Sequence, residues 1–159
     1  MARITNPTSK QNMGRDRINS PSKDAIKKSG TALFSLVKGE QLHIGMTAAW
    51  LTNLSGCTVT VKVVEGENDG LGTVPTAQKS GTPIITTLPV LDADVTDNTF
   101  KIVFPDTLCD TWNVQPTPDK PVYGFIGVEI ADGGVGDNQQ KWKPVRGLVE
   151  ILYSPTEIT

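Results

Sequence analysis

The sequence has few of the residues from which enzymes and small secreted domains build their sites. Its 159 residues include two cysteines and one histidine, which are too few for a disulfide scaffold or for a four-ligand zinc site supplied by one chain. The apolar runs span only a few residues, whereas a membrane helix needs about 20, and the first ten residues lack the apolar segment of a signal peptide. We therefore expect no membrane partner, no metal and no cofactor.

Glycine and proline, by contrast, are plentiful and favour a β domain over a helical bundle. The chain has 15 glycines and 11 prolines, many of them in turns between segments whose alternating apolar and polar side chains predict half-buried strands. The predicted strands are 42–50, 57–63, 100–104, 122–130 and 145–153, with 31–37 and 84–88 in addition. Seven such strands within residues 31–159 predict an all-β fold, an immunoglobulin-like antiparallel β-sandwich. Pro144 lacks a backbone N–H, so we expect it at a sheet edge or a bulge.

Residues 1–30 differ from the rest and are predicted to form an extended basic N-terminal arm. They contain seven basic and two acidic residues, a net charge of +5, whereas the remaining residues contain 8 basic and 15 acidic ones, a net charge of −7. All nine aromatic residues lie at or after Phe34. A segment this polar cannot bury enough apolar surface to offset its ordering entropy, so we expect a neighbouring chain to hold it. The arm residues predicted to contact that neighbour are Arg3, Ile4, Lys10, Arg15, Arg17, Ile18 and Lys23.

Two other roles for the arm stay open. It could follow its own domain as a long tail, or its positive charge could contact nucleic acid. Nucleic acid is the less favoured partner, because the arm has neither interleaved aromatic residues nor a dense cluster of lysine and arginine.

The sequence contains no recognisable catalytic constellation, and we predict that the protein is not an enzyme. His43 falls within an alternating strand, where a satisfied or solvent-facing histidine is more common than a general base. Cys57 begins a strand on its apolar face and is expected to be a buried thiol; a disulfide with Cys109 is possible, although the spacing does not require it. The acidic segments 65–69 and 92–97 are expected to be solvated loops rather than cation sites. A hydrolase would need His43 beside an acid or a nucleophile in a cleft.

The three tryptophans are candidates for a surface role. Trp50 continues the inward register of strand 42–50 and is predicted to lie in the core. Trp112 lies in a proline-rich loop and Trp142 flanks the last strand between two lysines; we predict both at a partner interface, where tryptophan is enriched. A core position is an equal alternative for these two. A stacking platform for sugars, as in a carbohydrate-binding module, is less favoured.

Turns and strands at the two ends of the β domain carry a resemblance to a known family. The front half contains LVKGEQLHIGM at 36–46 and NLSGC at 53–57, and the back half contains FPDT at 104–107, VYGF at 122–125, DGG at 132–134 and RGLVEI at 146–151. This order of segments resembles the small β-sandwich domain at the N-termini of baseplate upper and tail-fibre proteins of tailed phages.

The resemblance implies a non-enzymatic structural component of a bacteriophage virion, assembled in the cytoplasm of the bacterial host. In such proteins the sandwich packs into a symmetric collar, and a terminal extension ties it to a neighbouring tail or head protein. The resemblance therefore implies a tail-fibre or baseplate adaptor or anchor, whose partners are other virion structural proteins and further copies in a trimer or higher symmetric homo-oligomer. A capsid cement or decoration protein is the alternative within this class.

Overall fold

The computed structural model describes residues 32–93 and 96–155, without the side chains of Ala32, Leu33 and Pro144. The predicted arm, with all seven of its predicted contact residues, lies outside the described residues. Within the described ranges the chain forms eight strands and one short 3-10 helix. The strands are β1 (Ala32–Val37), β2 (Leu42–Thr47), β3 (Thr58–Glu65), β4 (Ile85–Leu88), β5 (Val90–Leu91), β6 (Thr99–Phe104), β7 (Val122–Ala131) and β8 (Lys141–Leu152), and the 3-10 helix is Gly136–Asn138.

Two sheets enclose a single core, which confirms the all-β prediction. One sheet has the strand order β1-β8-β7-β3-β4, and the other has the order β2-β6-β5. Each of the seven predicted strands occurs, with its bounds shifted by a few residues. The two-residue β5 is too short to show an alternating pattern. Between the sheets, the rings of Phe34 and Phe104 lie 5.7 Å apart, and both are almost fully buried.

One strand pair corrects the expectation of a purely antiparallel sandwich. β1 runs parallel to β8, with Ala32 opposite Gly147 and Val37 opposite Leu152. β1 and β2 are joined by a tight turn, in which the Glu40 N–H donates to the Val37 carbonyl at 2.9 Å, but they belong to different sheets. Alternation predicts that a segment is a strand and says nothing about its sheet, so the parallel pairing could not be predicted from it.

Pro144 lies at a β-bulge, as predicted. Val128 of β7 is opposite Val145, and Ile130 is opposite Trp142, so that three steps along β8 match two steps along β7. β1 pairs with β8 only from Gly147 onward. Among the described strands, residues 141–146 of β8 therefore have a neighbour on one side alone, which is β7. A residue without a backbone N–H is tolerated in such a position.

Gly124 on β7 makes room for the packing of Trp112. A Cβ atom at position 124 would lie 2.7 Å from Cη2 of Trp112 and 2.9 Å from Cγ1 of Val63. Real Cβ atoms do not approach other heavy atoms this closely, and both neighbouring side chains are fully buried. The absence of a side chain at position 124 is thus a condition for the burial of the indole.

We expect Gly124→Ala to lower the free energy of unfolding by about 1–3 kcal/mol, because the added methyl group overpacks the core. Gly127→Ala is the matched control in the same strand, since a Cβ there would have no neighbour within 4 Å; its effect should stay below about 1 kcal/mol. Urea denaturation followed by tryptophan fluorescence measures both changes. Equal losses in the two variants would contradict this account.

Candidate interaction surface

Trp112 corrects the prediction that its ring is available to a partner. The residue is 3% exposed and belongs to the core, which was the alternative. The loop that carries it folds inward through consecutive turns, in which the N–H of Asp110 donates to the carbonyl of Thr107 and the N–H of Trp112 donates to that of Cys109, both at 3.0 Å. A loop has no periodicity that could have indicated this burial.

Trp142 is half-buried beside Trp50, and part of its ring remains accessible. The two rings lie 6.4 Å apart with an angle of 55° between their planes, and both pack against the edge of the core. Trp50 follows the end of β2 and is not fully buried, so the prediction of a core position holds only in part. A tilted pair of this kind differs from the flat aromatic face on which sugars stack. The predicted interface role of Trp142 stays a prediction.

Glu65 is buried, which corrects the expectation of a solvated carboxylate. Its side chain is 2% exposed; one oxygen, Oε1, accepts the N–H of Ile84 at 3.2 Å, and the other, Oε2, accepts the N–H of Asn113 at 3.0 Å. The carboxylate thereby joins the end of β3 to the start of β4 and to the loop that carries Trp112. The signal for this burial is present in the sequence, because Glu65 continues the inward alternation of Val61 and Val63.

The chain that follows Glu65 forms an exposed acidic loop over residues 67–74, which we call the acidic loop. Oε1 of Glu67 accepts hydrogen bonds from the N–H and the hydroxyl of Ser80 at 2.8 and 2.9 Å, and these bonds hold the pKa of Glu67 below its usual value. The hydroxyl of Thr73 and the N–H of Leu71 do the same for the pKa of Asp69. Leu71 is 69% exposed, so the loop presents an apolar side chain next to two ionised carboxylates.

A side-chain amide attaches the acidic loop to the sheet. The N–H of Tyr123 donates to Oδ1 of Asn68 at 2.8 Å, and Nδ2 of Asn68 donates to the Tyr123 carbonyl at 3.0 Å. The amide thus takes the place of a backbone partner at the start of β7. This arrangement fixes the acidic loop at the end of the sandwich where β3 finishes.

The outer face of the five-stranded sheet carries a basic notch, which we define by Lys62, Gly127 and Arg146. Lys62 of β3 is opposite Gly127 of β7, and Gly127 is opposite Arg146 of β8, so a glycine separates two cationic side chains in one cross-strand row. The notch opens into a cavity of about 260 Å³. The other residues that line this cavity are Thr60, Val128, Glu129, Lys143 and Val145.

The carboxylates nearest to the basic notch are engaged with other groups. Glu129 lies 3.8 Å from Nζ of Lys143. Glu150 accepts hydrogen bonds from the hydroxyl of Tyr123 and from that of Ser35; burial first, and then the charge of Glu150, raise the pKa of Tyr123. Within the described ranges, neither cation of the basic notch has an ion-pair partner. The sequence alone does not indicate this site, because its residues come from three strands that are brought together only by strand pairing.

The residues singled out for chemistry lie apart from one another. His43 is exposed on β2 opposite Val103. Cys57 precedes the start of β3, while Cys109 lies beside Ile151 at the opposite end of the sandwich; both are thiols. Burial and then the charge of Asp132 raise the pKa of Cys57.

Metal-ligand clusters and membrane-spanning helices are both absent from the described residues. In these ranges no three histidine, cysteine, aspartate or glutamate side chains come together as a metal site. Within the same part of the chain, no helix is long and apolar enough to cross a membrane.

No family model matches this sequence, and no match to it was found among curated proteins.

We expect Glu65→Gln to lower the free energy of unfolding by about 1–3 kcal/mol, because the amide nitrogen would face one of the two backbone N–H groups and leave it unsatisfied. Glu67→Gln is the matched control, since Glu67 uses a single oxygen for both of its hydrogen bonds and the amide oxygen can replace it. Chemical denaturation at neutral pH compares the two. If Glu65→Gln unfolded at the same urea concentration as Glu67→Gln, the bonds of Glu65 would contribute nothing specific.

Proposed function

We propose that this chain is a non-enzymatic structural component of a tailed-phage virion, a tail-fibre or baseplate adaptor or anchor whose N-terminal arm docks on neighbouring chains. The observation that carries the proposal is the opposite charge of the two parts of the sequence, +5 for residues 1–30 and −7 for the remainder. An arm of one sign suits the oppositely charged surface of a neighbouring copy or of another virion protein.

The position of β1 supports a role for the arm outside its own sandwich. β1 is the outermost described strand of its sheet, so the chain that precedes Ala32 joins the domain at a sheet edge. A segment that starts at an edge can reach a neighbour without crossing its own core. Exposed charge pairs contribute little individually, and we expect backbone hydrogen bonds, as in strand addition, to supply most of the affinity.

For the β domain we propose an immunoglobulin-like topology. In that fold, strands C, F and G are neighbours in one sheet, C′ can join them, and B, E and D are neighbours in the other. The observed order matches when β3, β7 and β8 stand for C, F and G, β4 for C′, and β2, β6 and β5 for B, E and D. Such domains serve many unrelated functions, so the topology is compatible with the proposed role and does not by itself support it.

A capsid cement or decoration protein is the second candidate, because its arm would run across the capsid shell and the same charge contrast within the sequence is compatible with that role. The carbohydrate-binding module has lost support. Of its two candidate aromatic residues, Trp112 is 3% exposed, and Trp142 is tilted against Trp50.

We expect a variant that lacks residues 1–30 to fold but to stay out of the particle. The full chain and the truncated chain, each with the same C-terminal tag, would be produced in host cells that assemble the phage, and the tag would be quantified in purified virions. Circular dichroism of the truncated chain provides the folding control. Normal incorporation of the truncated chain would contradict the role of the arm, and absence of the full chain from virions would contradict the virion assignment.

A further inference from the structure

The basic notch has the features of a docking site for an acidic group. Lys62 and Arg146 lie on either side of Gly127, two strand spacings or about 10 Å apart. A Cβ at Gly127 would meet no atom within 4 Å, so the floor between the two cations is open. Because neither cation is paired within the described residues, an incoming carboxylate would not have to displace an existing partner.

The acidic loop has complementary features. Its two carboxylates are exposed and fixed by hydrogen bonds, Glu67 to Ser80 and Asp69 to residues of the loop itself, so that little side-chain entropy remains to be lost on binding. Leu71 projects beside them with 69% of its surface exposed. The charge of Lys79 is the smallest of the influences on the pKa of Glu67. Lys120 borders the loop at Gly72, where an added Cβ would lie 3.3 Å from the Cα of Lys120. A loop with this composition fits a notch that has cationic walls and an open glycine floor.

The two surfaces lie on different parts of one molecule. The basic notch is on the outer face of the sheet, in the middle of β3, and the acidic loop begins two residues after β3 ends. No ion pair joins them within the described part of the chain. Contact between two different surfaces of identical subunits is heterologous, and repetition of such a contact closes a ring or extends a filament.

We propose that the acidic loop of one copy docks on the basic notch of the next copy, so that the chains assemble head to tail. Glu67 and Asp69 then lie against Lys62 and Arg146, and Leu71 covers Gly127. The inference rests on the proposed assembly role, since it names a second copy of this chain as one of the partners. It concerns the β domain and not the arm, so each can fail separately.

The test measures self-association of the full chain by sedimentation velocity over a range of concentrations, at low and at high salt. We expect the double variant Lys62→Glu/Arg146→Glu to weaken association about tenfold or more, because like charges would then face each other. The matched control is Lys38→Glu/Lys141→Glu, which changes the net charge by the same amount elsewhere on the surface, at lysines without an ion-pair partner within the described residues. High salt should weaken the self-association of the unmodified chain and that of the control variant to the same extent.

A second pair of changes tests direct contact between the two surfaces. Glu67→Gln/Asp69→Asn removes both charges of the acidic loop and keeps an oxygen acceptor at each position. In the otherwise unmodified chain we expect these changes to weaken association several-fold. In the Lys62→Glu/Arg146→Glu background they should strengthen it, because they remove the repulsion. A reversal of sign between the two backgrounds is expected only if the surfaces touch.

Three results would overturn the inference. The chain could stay monomeric at all concentrations, or Lys62→Glu/Arg146→Glu could weaken association no more than the control does. Alternatively, Lys62→Glu/Arg146→Glu could associate normally and lose affinity for a single-stranded DNA oligonucleotide. That result would make nucleic acid the ligand of the basic notch. Each of these results is compatible with loss of incorporation on removal of residues 1–30, so the test separates failure of this inference from failure of the proposed function.

Discussion

One end of this sandwich depends on a carboxylate that is taken out of water. A buried carboxylate is costly unless hydrogen bonds replace its hydration. Glu65 accepts two such bonds, one from Ile84, the residue before β4, and one from Asn113 in the loop that carries Trp112. Because the two segments are far apart in sequence, a single side chain fixes the edge strand and the loop relative to the end of β3. The loop in turn places the indole of Trp112 over Gly124.

This packing determines which surfaces are left for partners. With Trp112 turned inward, the outer face of the large sheet and the acidic loop beyond β3 are among the exposed surfaces of the described ranges that carry charged groups. The acidic loop is held rigid by Asn68 and by the hydrogen bonds of its own carboxylates, while the basic notch is formed by side chains that strand pairing fixes in position. Both surfaces of opposite charge are therefore held in position by hydrogen bonds within the domain before any partner binds.

Alternation of apolar and polar residues predicted the strands, because a half-buried strand exposes every second side chain. The same alternation also indicates that Glu65 is buried, because this residue continues the register of Val61 and Val63. Its charge instead favoured the prediction of a solvated loop. Two other features depend on register between distant strands and could not be predicted: the parallel pairing of β1 with β8, and the row that brings Lys62, Gly127 and Arg146 together. The burial of Trp112 likewise could not be predicted, because it requires Gly124 on β7, a strand outside the loop that carries the indole.

The charges of the chain follow a pattern that neither surface explains alone. The basic residues 1–30 precede an acidic remainder, and within that remainder the basic notch adds local positive charge to the outer face of the large sheet. In the proposed assembly each copy makes two kinds of contact, one from the arm to an acidic surface and one from the acidic loop to the basic notch. Long-range charge complementarity orients and accelerates encounter more than it adds affinity. The affinity would then have to come from the burial of Leu71 on the basic notch and from backbone hydrogen bonds of the arm. Such an assembly would form quickly, and it would be stable only where both contacts are made.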